Sequence, residues 1–226
     1  MKTDLLLLHG ALGSKQQLEP LKELLSDQFN IYSLNFDGHG GNASDNHFSI
    51  DLFTDNLIHF LEKNELRDVY IFGYSMGGYV ALNAAHQRPD LVQKIVTLGT
   101  KFDWSPESAA QEIKMLNPEK IEEKVPQFAT RLKELHEPVD WKLVMNKTAS
   151  LMRDLGEGKG LKDEEVENVK QEVVIGLGDK DKMVGMDESQ KVVNLLPNGS
   201  FMVLEGVPHP IDMISNDQLV AYILNA

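Results

Sequence analysis

The stretch Gly73-Tyr74-Ser75-Met76-Gly77 constrains this chain more than any other, because it joins two segments of different periodicity. Before it, Asp68-Val69-Tyr70-Ile71-Phe72 is dense in β-branched and aromatic residues and predicts a buried strand. After it, Tyr79 to His86 is alanine-rich and predicts a tightly packed helix, which Pro89 must stop. A serine on so short a strand-to-helix turn is held in a strained backbone, with its hydroxyl pointing away from the sheet. Gly73 and Gly77 are needed on either side, since a Cβ at either position would collide with the neighbouring strand or helix. That is the geometry of a nucleophile elbow, and it predicts chemistry as well as fold.

The flanking sequence supplies a matching frame. Leu5 to Leu8 predicts a strand ending at His9-Gly10, and Ser14 can cap a helix carrying Leu18, Leu21, Leu24 and Leu25 on one face. Asn30 to Phe36 predicts a second strand, followed by the loop Gly38-His39-Gly40-Gly41. Ser49 can cap a helix that directs Leu52, Phe53, Leu57, Phe60 and Leu61 inward. After the elbow come a strand at Lys94 to Leu98, another at Val173 to Leu177, a helix from about Asp187 to Leu196, a strand at Ser200 to Leu204, and a closing helix ending near Leu224. Short strands alternating with helices imply an α/β fold: a mostly parallel central sheet with helices on both faces.

Between Phe102 and Val169 the strand rhythm breaks. Ser105-Pro106 and Asn117-Pro118 each read as an N-cap followed by proline at the first helical position. Pro126 should kink or divide the second of these helices. Asp140 can cap a further helix through Leu155, stopped by Gly156. The acidic end, Asp163 to Glu167, reads as a solvated helix face. Residues 102–169 are therefore expected to form a helical cap, inserted into a core domain made of 1–101 and 170–226.

Composition removes several function classes. The balance of 22 basic against 35 acidic residues, a net charge of −13, argues against a phosphate-binding surface and so against nucleic acid as a partner. With no cysteine, thiolate catalysis, disulfides and thiolate metal sites are excluded. The seven histidines show no His-x-x-x-His pair, so no metal is expected. The apolar run after Met1-Lys2-Thr3-Asp4 is too short for a secretory signal, and no stretch approaches a membrane span. A soluble, cytoplasmic protein of 226 residues with one buried core is expected. The sequence does not set its oligomeric state.

A serine hydroxyl needs a base within hydrogen-bond reach, and the base needs an orienting group on its other nitrogen. In a parallel sheet such groups converge when each lies just past the C-terminal end of a strand. His209 fits, in the proline-braced loop Gly206-Val207-Pro208-His209-Pro210 after the strand ending at Leu204. Gly178-Asp179-Lys180-Asp181 follows the preceding strand and offers two acids, Asp179 and Asp181. The developing oxyanion needs fixed donors. The backbone N–H of Met76 is one, and the turn His9-Gly10-Ala11-Leu12-Gly13 provides a second at Ala11. His9 and Gly10 are expected to support that turn, with no proton-transfer role for His9. The cap aromatics and methionines Phe102, Trp104, Phe128, Trp141, Met145 and Met152 are expected to be mostly core, with a subset lining an apolar acyl pocket.

Taken together, these residues resemble the α/β-hydrolase fold superfamily over almost the whole chain. The matching elements are His9-Gly10, Gly38-His39-Gly40, the elbow at 73–77, and the order Ser75, Asp181, His209. Family members carry Gly-x-x-Asp after the strand before the acid, which makes Gly178 to Asp181 the match and favours Asp181 over Asp179. The sequence departs from the family pattern in three places. Asn35 and Asp37 stand where an Asp usually introduces the glycine loop, Ser44 is the nearest serine after that loop, and Pro208 precedes the histidine. The resemblance implies a serine hydrolase of carboxylesterase type, acting on a small apolar acyl substrate without cofactor or metal. Thioesterase, C–C bond hydrolase and lyase activities are alternatives on the same fold. A ligand receptor that retains a slow triad is the alternative of another class.

Overall fold

The computed structural model describes residues 2–226; Met1, the first residue of the N-terminal run read above, lies outside them. Among the described residues six strands form one sheet: β1 (Thr3–Leu8), β2 (Phe29–Ser33), β3 (Val69–Tyr74), β4 (Val92–Leu98), β5 (Glu172–Gly178) and β6 (Gly199–Leu204). The order is β2-β1-β3-β4-β5-β6, and every adjacent pair is parallel. The helices α1 (Glu19–Leu25), α2 (Ile50–Lys63) and α3 (Met76–Gln87) connect the first four strands. The helices α4 (Pro106–Ile113), α5 (Pro118–Lys124), α6 (Pro126–His136), α7 (Trp141–Gly156) and α8 (Asp163–Glu167) stand between β4 and β5, and α9 (Met186–Leu195) and α10 (Asn216–Asn225) complete the chain.

The unbroken leucine run of β1 follows from burial on both faces. Side chains alternate across a strand. Leu6 and Leu8 accordingly pack with α2, α3 and α9, whereas Leu5 and Leu7 pack with α1 and α10. All four leucines are fully buried, each contributing about 2 kcal/mol.

Most expected elements stand where periodicity placed them, with three differences. The second strand starts at Phe29 and stops at Ser33, because its partner, β1, pairs no further than Leu7 with Ser33. Leu34 and Phe36 are buried beyond the ladder, while Asn35 turns to hold Gly40 and Lys15. Ser14 caps a short 3-10 turn, Lys15–Leu18, that leads into α1. Leu24 then falls about 100° round the helix from buried Leu25 and is 48% exposed, outside the expected face. On α2, Phe53, Leu57 and Leu61 are buried, whereas Leu52 and Phe60 are only partly so.

Between β4 and β5 the capping signals are fulfilled. Ser105, Asn117 and Asp140 accept from the first turns of α4, α5 and α7. Pro126 divides α5 from α6, because it cannot donate into the preceding turn. Helix α4 lies so close on α7 that a Cβ on Gly156 would come within 2.6 Å of Ala109. The acidic face of α8 is exposed, and Val166 alone of its five residues is buried. Among the described residues no helix is long and apolar enough to cross a membrane.

Candidate active site

In an all-parallel sheet every strand delivers its C-terminal end to the same edge. Crevices form there where the strand order reverses. The reversal here lies between β1 and β3, which are neighbours in the sheet although β2 separates them in sequence. The turn at residues 9–13 and Ser75 both sit at this point.

Ser75 has φ +51° and ψ −117°, a backbone conformation costly for a residue with a side chain. The surroundings hold it there. Its N–H donates to Leu98 O at 2.8 Å, and its carbonyl accepts from Thr100 Oγ1 at 2.9 Å and Gly78 N at 3.0 Å. A Cβ on Gly73 would meet the Gly78 backbone at 2.5 Å, and one on Gly77 would meet Leu8 O at 2.7 Å. The glycine requirement read from sequence is therefore steric, from a helix on one side and a strand on the other.

Ser75 Oγ lies 3.4 Å from His209 Nε2, and His209 Nδ1 lies 2.7 Å from Asp181 Oδ2. The carboxylate can only accept, so Nδ1 carries the proton and Nε2 presents a lone pair to the serine. Contacts of this kind are commonly long before a reactant binds. The Asp181 side chain is almost wholly buried, and its other oxygen accepts from the amides of Met183 and Val184 at 2.8 and 3.0 Å. Burial pushes its pKa up, but the hydrogen bond and charge of His209 together with those amides outweigh it and hold the group below the usual aspartate value. Asp179 is exposed and directed elsewhere, accepting from Gly206 N at 2.7 Å. The loops carrying Asp181 and His209 are tied directly, by Lys180 N to Val207 O at 3.0 Å.

Two contributors had no signal in the sequence. The Tyr74 hydroxyl donates to the backbone carbonyl of His209 at 2.8 Å. Gly99, at φ +64°, faces the acid–base pair so closely that a Cβ would stand 3.2 Å from Asp181 Oδ2 and 3.3 Å from His209 Nδ1.

The turn after β1 is also held from beneath. His9 Nδ1 donates to Gly10 O at 2.8 Å, Gly13 N donates to the same oxygen at 3.1 Å, and Phe36 N donates to His9 Nε2 at 3.3 Å. In a trans peptide the C=O and N–H point oppositely, so the Ala11 N–H is fixed on the side away from His9. A Cβ on Gly10 would lie 3.1 Å from that of Ser75. His136, on α6, donates from Nε2 to Leu12 O at 3.1 Å and accepts at Nδ1 from Gly40 N at 3.1 Å. His39 stacks on Phe48 and donates from Nδ1 to Asp37 O at 3.0 Å. Burial lowers the pKa of all three histidines, that of His9 to about 4, so each is a neutral imidazole at pH 7. Their rings lie 5.2 and 5.7 Å apart, yet only His39 Nε2 lacks a partner. One free nitrogen cannot hold a metal ion.

A cavity of about 50 Å³ opens onto Ser75, lined by Ala11 and Met76 and by Ile50, Tyr79, Lys101, Trp104, Leu151, Met152 and Leu155. Of the expected pocket residues, Trp104 and Met152 line it. Phe102 instead lines a separate hollow of about 290 Å³ that does not include Ser75. Trp141 and Met145 are buried against Ala129 and Leu132 of α6, and Phe128 is exposed. Ile50, Tyr79, Lys101, Leu151 and Leu155 went unread as pocket residues. Helical periodicity marks Ile50, Tyr79, Leu151 and Leu155 only as inward-facing, and Lys101 lies in the loop after β4, where no periodicity applies.

Comparison with known proteins bears on the family and the fold. A family model described as alpha/beta hydrolase fold matches residues 4–131. The chain is 33% identical over 103 residues to ethanol acetyltransferase 1 of Hanseniaspora uvarum, covering 44% of this chain and 30% of that protein. It is 31% identical over 98 residues to the sn-1-specific diacylglycerol lipase ABHD11 of Danio rerio, covering 42% and 31%. The matches thus span about a third of the length of these relatives. Among solved structures, NosK from Streptomyces actuosus superposes with a TM-score of 0.83 at 19% identity, covering 100% of this chain and 97% of that one. MenH from S. aureus gives 0.75 at 21%, covering 99% and 92%. At these identities the superpositions show the shared fold.

Proposed function

This chain belongs to the α/β-hydrolase fold family, and on that premise we propose that it is a serine hydrolase that cleaves an ester-type bond through Ser75, His209 and Asp181. The observation that carries this reading is the continuous contact from Ser75 Oγ through His209 to a buried Asp181, with Ser75 held at positive φ.

In the proposed reaction His209 Nε2 takes the Ser75 proton as Oγ attacks the carbonyl carbon. The backbone amides of Ala11 and Met76 hold the oxyanion. The proton passes from His209 to the departing alkoxide, leaving an acyl-serine. Water, deprotonated by the same nitrogen, then attacks the acyl carbon and releases the acid and the serine. Asp181 fixes the Nδ1–H tautomer and stabilises the imidazolium formed at each step. Helices α4 to α8 act as a cap over the serine, and no metal or cofactor enters the mechanism.

The relatives named as acetyltransferases favour a second reading of the deacylation step, in which an alcohol replaces water and a new ester forms. Turnover of activated esters tests the common part. Ser75→Ala is expected to lower kcat by about six orders of magnitude. Undiminished turnover in that variant, with the protein folded, would refute the mechanism. Adding ethanol and measuring ethyl ester against free acid separates transfer from hydrolysis.

A further inference from the structure

We infer that the acyl group accepted at Ser75 is short and apolar, about two to four carbons, and that Leu151, Met152 and Leu155 of α7 set that limit. This rests on the hydrolase reading and adds to it the class of substrate.

Size is the first argument. A water-sized group occupies about 10–15 Å³ on this measure. The cavity of about 50 Å³ at Ser75 therefore holds about three to five such groups. Its wall from α2 and α7 cannot retreat cheaply, because Leu151, Leu155 and Ile50 belong to the main core and are 3%, 5% and 4% exposed. Met152 is the partly exposed member of that wall.

Polarity is the second. Apart from Ser75, each polar side chain that lines the cavity has a partner in the protein. Tyr79 Oη accepts from Leu161 N at 2.9 Å, and Trp104 Nε1 donates to Lys101 O at 3.2 Å. The Lys101 ammonium donates to Met183 O at 3.3 Å and has Glu188 and Glu112 at 3.8 and 3.9 Å. With two carboxylates beside it, this cation does not make the cavity a site for an acidic acyl chain. Glu188 is itself held in place by the amides of Phe102, Asp103 and Gly185. What remains for the acyl group is an apolar wall.

The test is kcat/KM for p-nitrophenyl acetate, butanoate, hexanoate, octanoate and hemisuccinate. It is run on wild type, Met152→Ala and Leu155→Ala, with each variant checked for folding by thermal melting. Wild type is expected to peak at acetate or butanoate and to fall by about tenfold or more at octanoate. The hemisuccinate should lag butanoate by a similar factor. Shortening Met152 should raise the octanoate-to-acetate ratio by about tenfold, and Leu155→Ala should do the same if it folds. Because Met152 is partly exposed, its variant keeps the test decisive even if Leu155→Ala unfolds. A wild-type optimum at octanoate, a preference for the hemisuccinate, or an unchanged ratio in Met152→Ala would overturn the inference while leaving the hydrolase reading intact. Failure to turn over any ester would overturn both.

Discussion

The Tyr74 hydroxyl donates to the backbone carbonyl of His209 at 2.8 Å, so the residue before the serine fastens the loop that carries the base. Burial raises the Tyr74 pKa, which keeps the phenol protonated and able to donate.

Tyr74→Phe keeps the ring and removes this bond. Stability should fall by about 1 kcal/mol. The kcat for ester turnover should fall by about tenfold with little change in KM, because the reacting groups lose alignment while the acyl cavity is untouched. Steady-state kinetics on butanoate ester separates the two constants. A change confined to KM would show that the bond does not align His209.

The two aspartates of the loop after β5 should respond unequally. Asp181→Asn is expected to cost about four orders of magnitude in kcat, since an amide can present its NH2 to His209 and reverse the tautomer. Asp179→Asn retains an oxygen for the Gly206 amide and should stay within a few-fold of wild type. A larger loss from the second substitution would reverse the assignment.

Gly99 and Gly206 offer a matched pair, both with positive φ, at +64° and +73°. An alanine at either incurs backbone strain of about 1–2 kcal/mol. At Gly206 the new methyl meets nothing within 4 Å, whereas at Gly99 it presses on Asp181 and His209. Both variants should melt earlier, and only Gly99→Ala should lose most of its kcat. Equal activity in the two would show that the pair tolerates the crowding.

Acid should loosen the turn that carries Ala11. In the unfolded chain His9 binds a proton near pH 6.5, and in the native protein only near pH 4. The unfolded state therefore binds more protons between these values, and stability falls as pH falls through that window. Above about pH 7 this contribution is complete, and by pH 4 about 3 kcal/mol is lost from His9 alone. His39 and His136, lowered by the same burial, add in the same direction. Urea midpoints at pH 7 and pH 5 should show the loss. His39→Phe, which keeps the stack on Phe48, should flatten it. An unchanged pH dependence in that variant would exclude His39 as a contributor.

Much of this was legible because its causes are local. The Gly73 and Gly77 pattern, the caps at Ser49, Ser105, Asn117 and Asp140, and the apolar runs of β1, β3, β4 and β5 each depend on residues a few positions apart. A turn, a cap or a pleat leaves its signature within that span. The misplaced Leu24 has a local cause as well, since it lies about 100° round α1 from buried Leu25 and so turns outward.

By itself the sequence determined an α/β chain with a strained serine turn, and acids and a histidine past the ends of the right strands. Tertiary structure alone decided which atoms meet. Asp181 rather than Asp179 faces the imidazole because Gly99 leaves room and the amides of Met183 and Val184 fix the carboxylate. Tyr74 reaches His209 across 135 residues, and His136 reaches Leu12 across 124. The lining at Ser75 combines Ala11, Lys101 and Trp104 from loops with inward faces of α2, α3 and α7, whose periodicity marks them as buried but not against what. A cavity is the space left over when distant elements pack, so no short stretch of sequence carries its outline.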